Sequence, residues 1–300
     1  VLIGAILIGY SYLTAPTTEQ LAAQKKTQDS LALVEKNKQT VVINSNAAVK
    51  AEENVVIPTD SISDSLASAD LINKFGVFAN AAKEDTSVFT LENNLMKISF
   101  ASKGGKVKSV ELKQYKTWEG KPVRLFEGDS AQIGLNFFAN NRSVSTKDLY
   151  FTGSKSDNTL SMRLNAGASD KYIEFVYTLK ENEYKLGFKV NFVGVNEIIA
   201  RNTNYVELDW KQQLKNQERD IKSERANSTI YFMFADNEVD YLAEAKDGEK
   251  DLATKVKWVA MKQHFFTQVL IADNEFEKPT HVQTKNGTDQ DPFVKEFLDH

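Results

Sequence analysis

Side chains that could carry out catalysis are scarce in this sequence of 300 residues. There is no cysteine, which excludes a thiolate zinc site, a cysteine nucleophile and a disulfide. The three histidines are His264, His281 and His300, and none lies beside another in the sequence. A site built on clustered histidines is therefore not expected, and we predict no metal, no cofactor and no enzymatic activity.

Carboxylates and lysines form two further patterns with chemical potential. Glu207 and Asp209 flank Leu208 and would share one face of a strand, as a general acid–base pair requires. The sequence predicts no pocket around them, so a solvated sheet face is the favoured interpretation. Residues 103–108 combine two glycines with three lysines but lack the Gly-x-x-x-x-Gly-Lys-Ser/Thr spacing of a phosphate loop. We interpret this segment as the basic turn of a hairpin.

The composition is that of a folded protein with some additional polar sequence. Hydrophobic residues make up 41% of the chain and charged residues 26%, and the mean hydropathy is -0.41. The net charge is -4, and the basic residues do not gather into a stripe or a tail. This charge distribution argues against nucleic acid as a partner.

The chain begins with an apolar run. Residues 1–13 read VLIGAILIGYSYL and carry no charge, and a helix of this length would cover about 20 Å. The hydrocarbon core of a bilayer is about 30 Å thick, so we expect a truncated transmembrane anchor whose remainder lies upstream. Tyr10 and Tyr12 suit the interfacial aromatic belt. A cleaved signal peptide is the alternative, although residues 14–16 match a cleavage site poorly.

A long polar stretch follows the apolar run. Residues 14–85 are rich in Ala, Ser, Thr, Asn, Gln, Lys, Glu and Asp, and they contain no aromatic residue before Phe75. Such a segment cannot bury enough apolar surface to offset the entropy of ordering it. We predict a flexible linker, with a root-mean-square reach of roughly 45–50 Å if it behaves as a coil.

From residue 86 to residue 300 the pattern is that of β-strands. Apolar and polar residues alternate over residues 96–100, 160–164, 173–179 and 186–192. The last two of these segments predict an antiparallel hairpin. Several short strands separated by polar turns indicate a mainly β sandwich, which we expect to be incomplete at its carboxyl end.

One segment interrupts the β pattern. Residues 212–225 are polar, strongly charged and partly compatible with a helix, and we predict an excursion from the sheet. Such a run usually forms a solvated face, and the alternative is that it docks a partner. The candidate docking residues are Lys211, Glu218, Arg219, Lys222 and Arg225.

Three stretches resemble the YidC family of membrane protein insertases. The opening LIGAILIGYSYL and the polar linker resemble the family's first transmembrane segment and its periplasmic tether. Residues 90–126, with a strand, a Gly-Gly turn and a second strand, are similar to the start of its large periplasmic domain. Residues 257–272, KWVAMKQHFFTQVLIA, resemble its most recognisable periplasmic motif. The matching positions are Trp258, Ala260, Met261, Gln263, Phe265 and Phe266.

This resemblance implies a galactose-mutarotase-like β-supersandwich on the periplasmic side of a bacterial inner membrane. The family inserts and folds membrane proteins, alone or with the Sec translocon, so nascent clients and translocon components are the implied partners. The bilayer would be contacted through residues 1–13. No apolar run of about 18 residues follows Leu13, so the family's later transmembrane core has no counterpart in this sequence. The part present is expected to act as a scaffold or docking module.

Within the motif we predict a strand whose aromatic residues pack in the core, although Trp258, Met261 and Phe265 also fit helical spacing. Gln263 is expected to be a buried hydrogen-bonding residue, and His264 a structural or surface residue. Two other functions stay open. One is a membrane-tethered carbohydrate-binding or mutarotase-like protein, and the other is an anchored envelope sandwich with an unrelated protein partner.

Overall fold

The fold is described from a computed structural model over residues 60–199, 206–288, 291 and 293–299. The predicted anchor at residues 1–13 and the predicted linker as far as residue 59 lie outside this range. Among the described residues, no helix combines the length and the apolar character that crossing a bilayer requires.

The described chain opens with helical structure inside the segment predicted to be a linker. Helix α1 (Asp60–Phe75) leads directly into a 3-10 helix (Gly76–Ala82). Phe75 and Phe78 are buried, and the Phe78 ring lies edge-on to Phe137 with 5.8 Å between ring centroids. The prediction of a linker over residues 14–85 therefore differs from the structure over residues 60–82. The physical reason is that these two aromatic side chains bury enough apolar surface to hold an otherwise polar segment.

Eighteen strands within the described residues form four antiparallel sheets. Sheet I contains, in order, β1 (Val88–Glu92), β2 (Met96–Ala101), β3 (Val107–Lys116) and β4 (Pro122–Glu127). Sheet II has the order β10-β9-β8-β7, with β7 (Thr152–Ser156), β8 (Thr159–Asn165), β9 (Tyr172–Leu179) and β10 (Leu186–Val193).

The other two sheets contain the later strands. Sheet III has the order β14-β17-β18-β11-β5-β6, with β5 (Ala131–Ala139), β6 (Arg142–Ser145), β11 (Glu207–Lys215), β14 (Gly248–Leu252), β17 (Thr280–Asn286) and β18 (Phe293–Asp299). Sheet IV has the order β13-β12-β15-β16, with β12 (Thr229–Phe234), β13 (Val239–Tyr241), β15 (Val256–Lys262) and β16 (Thr267–Phe276). A short helix, α2 (Ile221–Ala226), lies between β11 and β12.

The mainly β fold expected from the strand periodicity is confirmed. In β2 the predicted apolar positions Met96, Ile98 and Phe100 are all buried. The predicted hairpin is β9–β10, with Leu179 opposite Leu186. The Gly-Gly turn between β2 and β3 has positive φ at both glycines, and a Cβ on Gly105 would lie 2.9 Å from the Phe151 ring. That contact and the positive φ require glycine at this turn.

Two apolar clusters form the interior. The larger one joins sheets I and II with β5 and the helical segment before β1. The second combines residues of sheets III and IV, among them Leu214, Phe232, Met261 and Phe297, all with 0% exposure. The two clusters account for the burial of one face of each sheet.

The predicted excursion of residues 212–225 is wrong for its first four residues. Residues 212–215 continue β11, which pairs with β5 on one side and β18 on the other. Gln212 and Leu214 point into the interior, so an apparently polar stretch alternates between a buried and a solvated face. The chain leaves the sheet only after Lys215.

A candidate docking surface on sheet IV

Strand β15 divides the residues of the motif between two faces of sheet IV. Val259 and Met261 are fully buried and belong to the second apolar cluster. Trp258, Ala260 and Lys262 alternate with them and therefore lie on the opposite face. That opposite face is called the outer face below.

Strand registers arrange the outer face in two rows. The first row runs Tyr241, Tyr231, Ala260, Val269 and the second runs Val239, Met233, Trp258, Ile271. Four of these side chains are exposed, and Tyr241 at 53% and Ile271 at 61% are the most exposed of them. The solvent face of an antiparallel sheet is usually polar, and a contiguous exposed apolar patch marks an interaction site. The outer face is therefore a candidate docking surface.

A hollow lies at the centre of the outer face. Ala260 is the small residue between Tyr231 and Val269, and the open space above it measures about 340 Å³. Trp258 lines one end and Lys262 the other. The Lys262 ammonium group donates to the Glu244 carboxylate at 2.9 Å and to the Asn227 carbonyl at 2.7 Å. The charged residue of the hollow is thus already paired.

The motif continues into the turn between β15 and β16, residues 263–266. Gln263 is 2% exposed, and its amide donates to the Lys215 carbonyl at 2.7 Å and to the Glu224 carboxylate at 2.5 Å. Glu224, at 1% exposed, also accepts from the Asn216 amide at 2.7 Å. These contacts fix the turn against the segment that contains α2.

The carboxylate at the centre of these contacts is electrostatically unusual. Burial raises the pKa of Glu224, because the charged form loses its hydration. The hydrogen bonds from the Gln217 backbone and the Gln263 side chain oppose this rise, while the nearby Glu218 carboxylate adds to it. Perturbed carboxylates of this kind also occur in structural networks, and this one holds two loops together.

Of the two aromatic side chains of the turn, Phe265 lies on the surface, whereas Phe266 is partly buried and packs against the larger apolar cluster. Phe265 is 71% exposed and stacks on His264, with 4.1 Å between the ring centroids. His264 Nδ1 lies 2.9 Å from a Glu218 carboxylate oxygen. Phe266 contacts the Tyr115 ring edge-on at 5.6 Å. The predicted strand through Phe266 therefore ends at Lys262, because the chain reverses to form the β15–β16 hairpin.

The expected core role fits some of the motif residues and not others. Met261 and Ala260 are buried, and Gln263 is buried and hydrogen bonded. Trp258 lies on the outer face, and Phe265 is the most exposed of the large apolar residues described. The core prediction for Trp258 and Phe265 is wrong, because strand alternation turns the first outward and the hairpin turn exposes the second.

The candidate docking residues of the charged segment have different environments. Lys211 lies in β11 and pairs with Glu296 at 3.0 Å. Arg225 is 9% exposed and donates to the Val294 carbonyl at 3.1 Å, so it does not fit a docking role. Glu218 contacts His264, as described above. Arg219 and Lys222 are exposed, and a docking role for them stays a prediction.

Other predicted chemical groups are occupied by structural contacts. Asp209 accepts from Lys147 at 2.6 Å and from Asn136 at 2.8 Å, and Glu207 is exposed on the same face. This arrangement is a partly buried ion pair, since the Asp209 side chain is 18% exposed and that of Lys147 33%. No group of three His, Cys, Asp or Glu side chains in the described range could hold a metal ion.

The outer face itself was not predicted from the sequence. Its signal is present in residues 231–234 and 269–272, which are apolar without alternation. An uninterrupted apolar run is compatible with a strand that has apolar residues on both faces. In residues 231–234, Phe232 is buried whereas Tyr231 lies on the outer face.

Comparison with known proteins gives concordant matches over the chain. Residues 88–299 match the family model described as YidC periplasmic domain. The membrane protein insertase YidC of Bacteroides fragilis is 35% identical over 298 residues, which cover 99% of this chain and 46% of that protein. The corresponding insertase of Parabacteroides distasonis is 34% identical over 285 residues, covering 93% of this chain and 44% of that protein. The chain thus spans less than half the length of these relatives.

Alignments with solved structures have low TM-scores and low sequence identity. A galactose mutarotase-like protein from Lactobacillus casei aligns with a TM-score of 0.38 at 10% identity, covering 71% of this chain and 87% of that chain. A galactose mutarotase related enzyme from Lactobacillus acidophilus aligns with a TM-score of 0.36 at 12% identity, covering 71% and 84%.

Proposed function

Because this chain belongs to the YidC periplasmic domain family, we propose that it is the periplasmic part of a membrane protein insertase and serves there as a docking module. The observation that carries the proposal is the similarity to YidC insertases along nearly the whole chain, 35% identity over 298 residues. The exposed apolar side chains on the outer face of sheet IV, Tyr241 and Ile271 among them, are compatible with the docking role.

The proposal includes a location and a set of partners. The main domain would stand in the periplasm, with residues 1–13 as its connection to the inner membrane. Its partners would be Sec translocon components and membrane proteins during insertion. The insertase activity itself would belong to the parts of the protein that these relatives have and this chain does not span.

The ion pairs of the charged groups favour a docking role over catalysis, because each of these groups already has a structural partner. Asp209 is occupied by Lys147, His264 by Glu218 and Lys262 by Glu244. Docking requires only a stable surface, and the exposed outer face supplies one. The carbohydrate-binding alternative gains no support from the insertase relatives.

The proposal can be tested with the full-length protein in its native bacterium. Deletion of residues 86–300, leaving the membrane parts in place, should reduce co-purification of Sec components and slow the insertion of membrane proteins. Insertion is measured by pulse labelling and protease protection, and the amount of variant protein in the membrane is the control. Unchanged co-purification together with unchanged insertion would contradict the proposal.

A further inference from the structure

We propose that ordered water is bound inside the protein, on the interior face of sheet III, by the side chains of Gln212, Thr284 and Asp299. These residues lie in β11, β17 and β18, which are neighbouring strands of that sheet. The inference concerns the interior of the protein and does not depend on the docking function proposed above.

Two buried side chains of sheet III have polar atoms without a hydrogen-bond partner. Gln212 and Thr284 are both 0% exposed. Within the part of the chain that the structure describes, no partner reaches Nε2 or Oε1 of Gln212, or Oγ1 of Thr284. Buried polar side chains are almost always hydrogen bonded, because an unpaired group has lost its bonds to water and gained none in return. These three atoms therefore point to a bound molecule.

Other polar side chains of the same interior are satisfied by the protein itself. Lys295 in β18 and Thr229 in β12 both donate to backbone carbonyl groups. Because buried polar groups close to Gln212 and Thr284 are paired in this way, the unpaired atoms mark one place in the interior.

The strand registers place the unpaired atoms in one patch. Gln212 and Thr284 both lie directly opposite Phe297, one on each side of β18. Directly opposed residues of antiparallel strands share one face of a sheet, and that face is the interior one because Phe297 is 0% exposed. Two strand spacings, about 10 Å, separate the Gln212 and Thr284 backbones. This distance is too long for a direct hydrogen bond between the side chains but suits a bridging water.

Asp299 adds a carboxyl group to the patch. It lies two residues beyond Phe297 in β18, hence on the same face, and is 6% exposed. Its opposite neighbours are Trp210 and Val282, which belong to the second apolar cluster. Burial raises the pKa of Asp299 to about 7, and the Asp209 carboxylate adds to the rise. An ionised carboxylate in such apolar surroundings needs hydrogen-bond donors, which water supplies.

The chemistry of the patch favours water over a metal ion. A cation could be held by Gln212 Oε1, Thr284 Oγ1 and the Asp299 carboxylate, but it would leave Gln212 Nε2 without an acceptor. Water both donates and accepts, so it can satisfy the amide, the hydroxyl and the carboxylate together. A buried water typically makes about three hydrogen bonds to polar groups that are otherwise unpaired.

The first test is urea denaturation of the purified full chain and of Gln212→Met, which removes both amide atoms at similar volume. If water binds the amide, the variant loses these bonds, and the folding equilibrium constant should fall about tenfold, a change of about 1.4 kcal/mol. If the amide has no partner, methionine removes an unpaired polar group, and an unchanged or higher constant would overturn the proposal. The matched control is Gln132→Met, at an exposed position of β5, which should leave the constant unchanged.

The second test asks whether Gln212 and Thr284 share the bound water. Thr284→Val should weaken folding at least threefold less in the Gln212→Met background than in wild type, because strand β18 separates the two residues and the water couples them. Strictly additive effects would overturn the proposal.

Two further measurements identify the bound molecule. A high-resolution crystal structure should show ordered density within about 3 Å of the Gln212 amide group, and an empty interior there would overturn the proposal. The folding constant should be the same in potassium chloride, sodium chloride and choline chloride at equal concentration. A constant that rises with sodium or potassium but not with choline would mean a bound cation and would overturn the assignment to water.

Discussion

Lys295 in β18 gives the sharpest test of the interior of the protein. It is 0% exposed, and its ammonium group donates to the Ser228 carbonyl at 2.7 Å and to the Glu244 carbonyl at 2.5 Å. Burial lowers the pKa of Lys295 to about 8, because the charged form loses its hydration. The nearby Asp247 and Glu244 carboxylates oppose this shift, and Lys262 adds to it.

The shift sets the sign and size of a pH effect on stability. Below about pH 8 the lysine is charged in both states, and the folded state bears the full cost of burying the charge. Above that pH the folded state releases the proton, while the unfolded chain keeps it up to its ordinary pKa of 10.5. The unfolded state then binds more protons, so the free energy of unfolding rises with pH. The gain is about 2.5 kcal/mol between about pH 7 and about pH 10, at about 1.4 kcal/mol per pKa unit.

The assay compares wild type with Lys295→Met by urea denaturation across this pH range. Subtracting the variant's free energy of unfolding from that of wild type at each pH removes the contributions of all other titrating groups. Wild type should gain about 2.5 kcal/mol relative to the variant as the pH rises from about 7 to about 10. Lys285→Met, at an exposed lysine of the neighbouring strand β17, controls for the loss of a lysine as such. A difference that stays flat or falls with pH would refute the burial argument.

Two further predictions concern the motif. Trp258→Ala should lower the free energy of unfolding less than Phe232→Ala does, because Trp258 lies on the outer face while Phe232 is 0% exposed. Replacing a fully buried aromatic side chain such as Phe232 with alanine costs about 3–5 kcal/mol. Thermal denaturation of both variants measures the two losses of stability. If the two losses are equal, Trp258 belongs to the core. Gln263→Leu should destabilise the domain by about 1–3 kcal/mol, because it leaves Glu224 and the Lys215 carbonyl without the amide donor. Chemical denaturation measures this loss of stability. A second variant, Gln263→Glu, should lower the free energy of unfolding further than Gln263→Leu does. An unchanged denaturation midpoint for both variants would contradict the hydrogen-bond network.

The strands were predictable wherever one face is buried and the other solvated. Residues 173–192 form the expected hairpin because alternation over both strands specifies a single register. The end of the linker was not predictable from composition, since two aromatic residues, Phe75 and Phe78, decide its packing within a long polar average. The average composition of the linker segment carries no information about the contact between Phe78 and Phe137, because Phe137 comes much later in the chain.

The candidate site was only partly predictable. The motif residues pointed to the β15–β16 hairpin, but which of them face outward depends on what covers each side of sheet IV. Both sides are apolar, so periodicity alone cannot tell the core from the outer face. The roles of Gln212 and Arg225 were missed for a related reason, since polar residues were assumed to be solvated and both are buried.

The hydrogen bond between Gln263 and Glu224 also constrains the order in which the domain can form. The two residues are 39 positions apart, so the contact closes a long loop whose entropy must be lost first. The segment with α2 is synthesised before the turn that anchors it, and contacts between distant positions form slowly. Until residue 263 has been synthesised and β15 has paired, the Glu224 carboxylate lacks the Gln263 donor and stays hydrated. We therefore expect the α2 segment to be among the last parts of the domain to gain protection from hydrogen exchange during refolding.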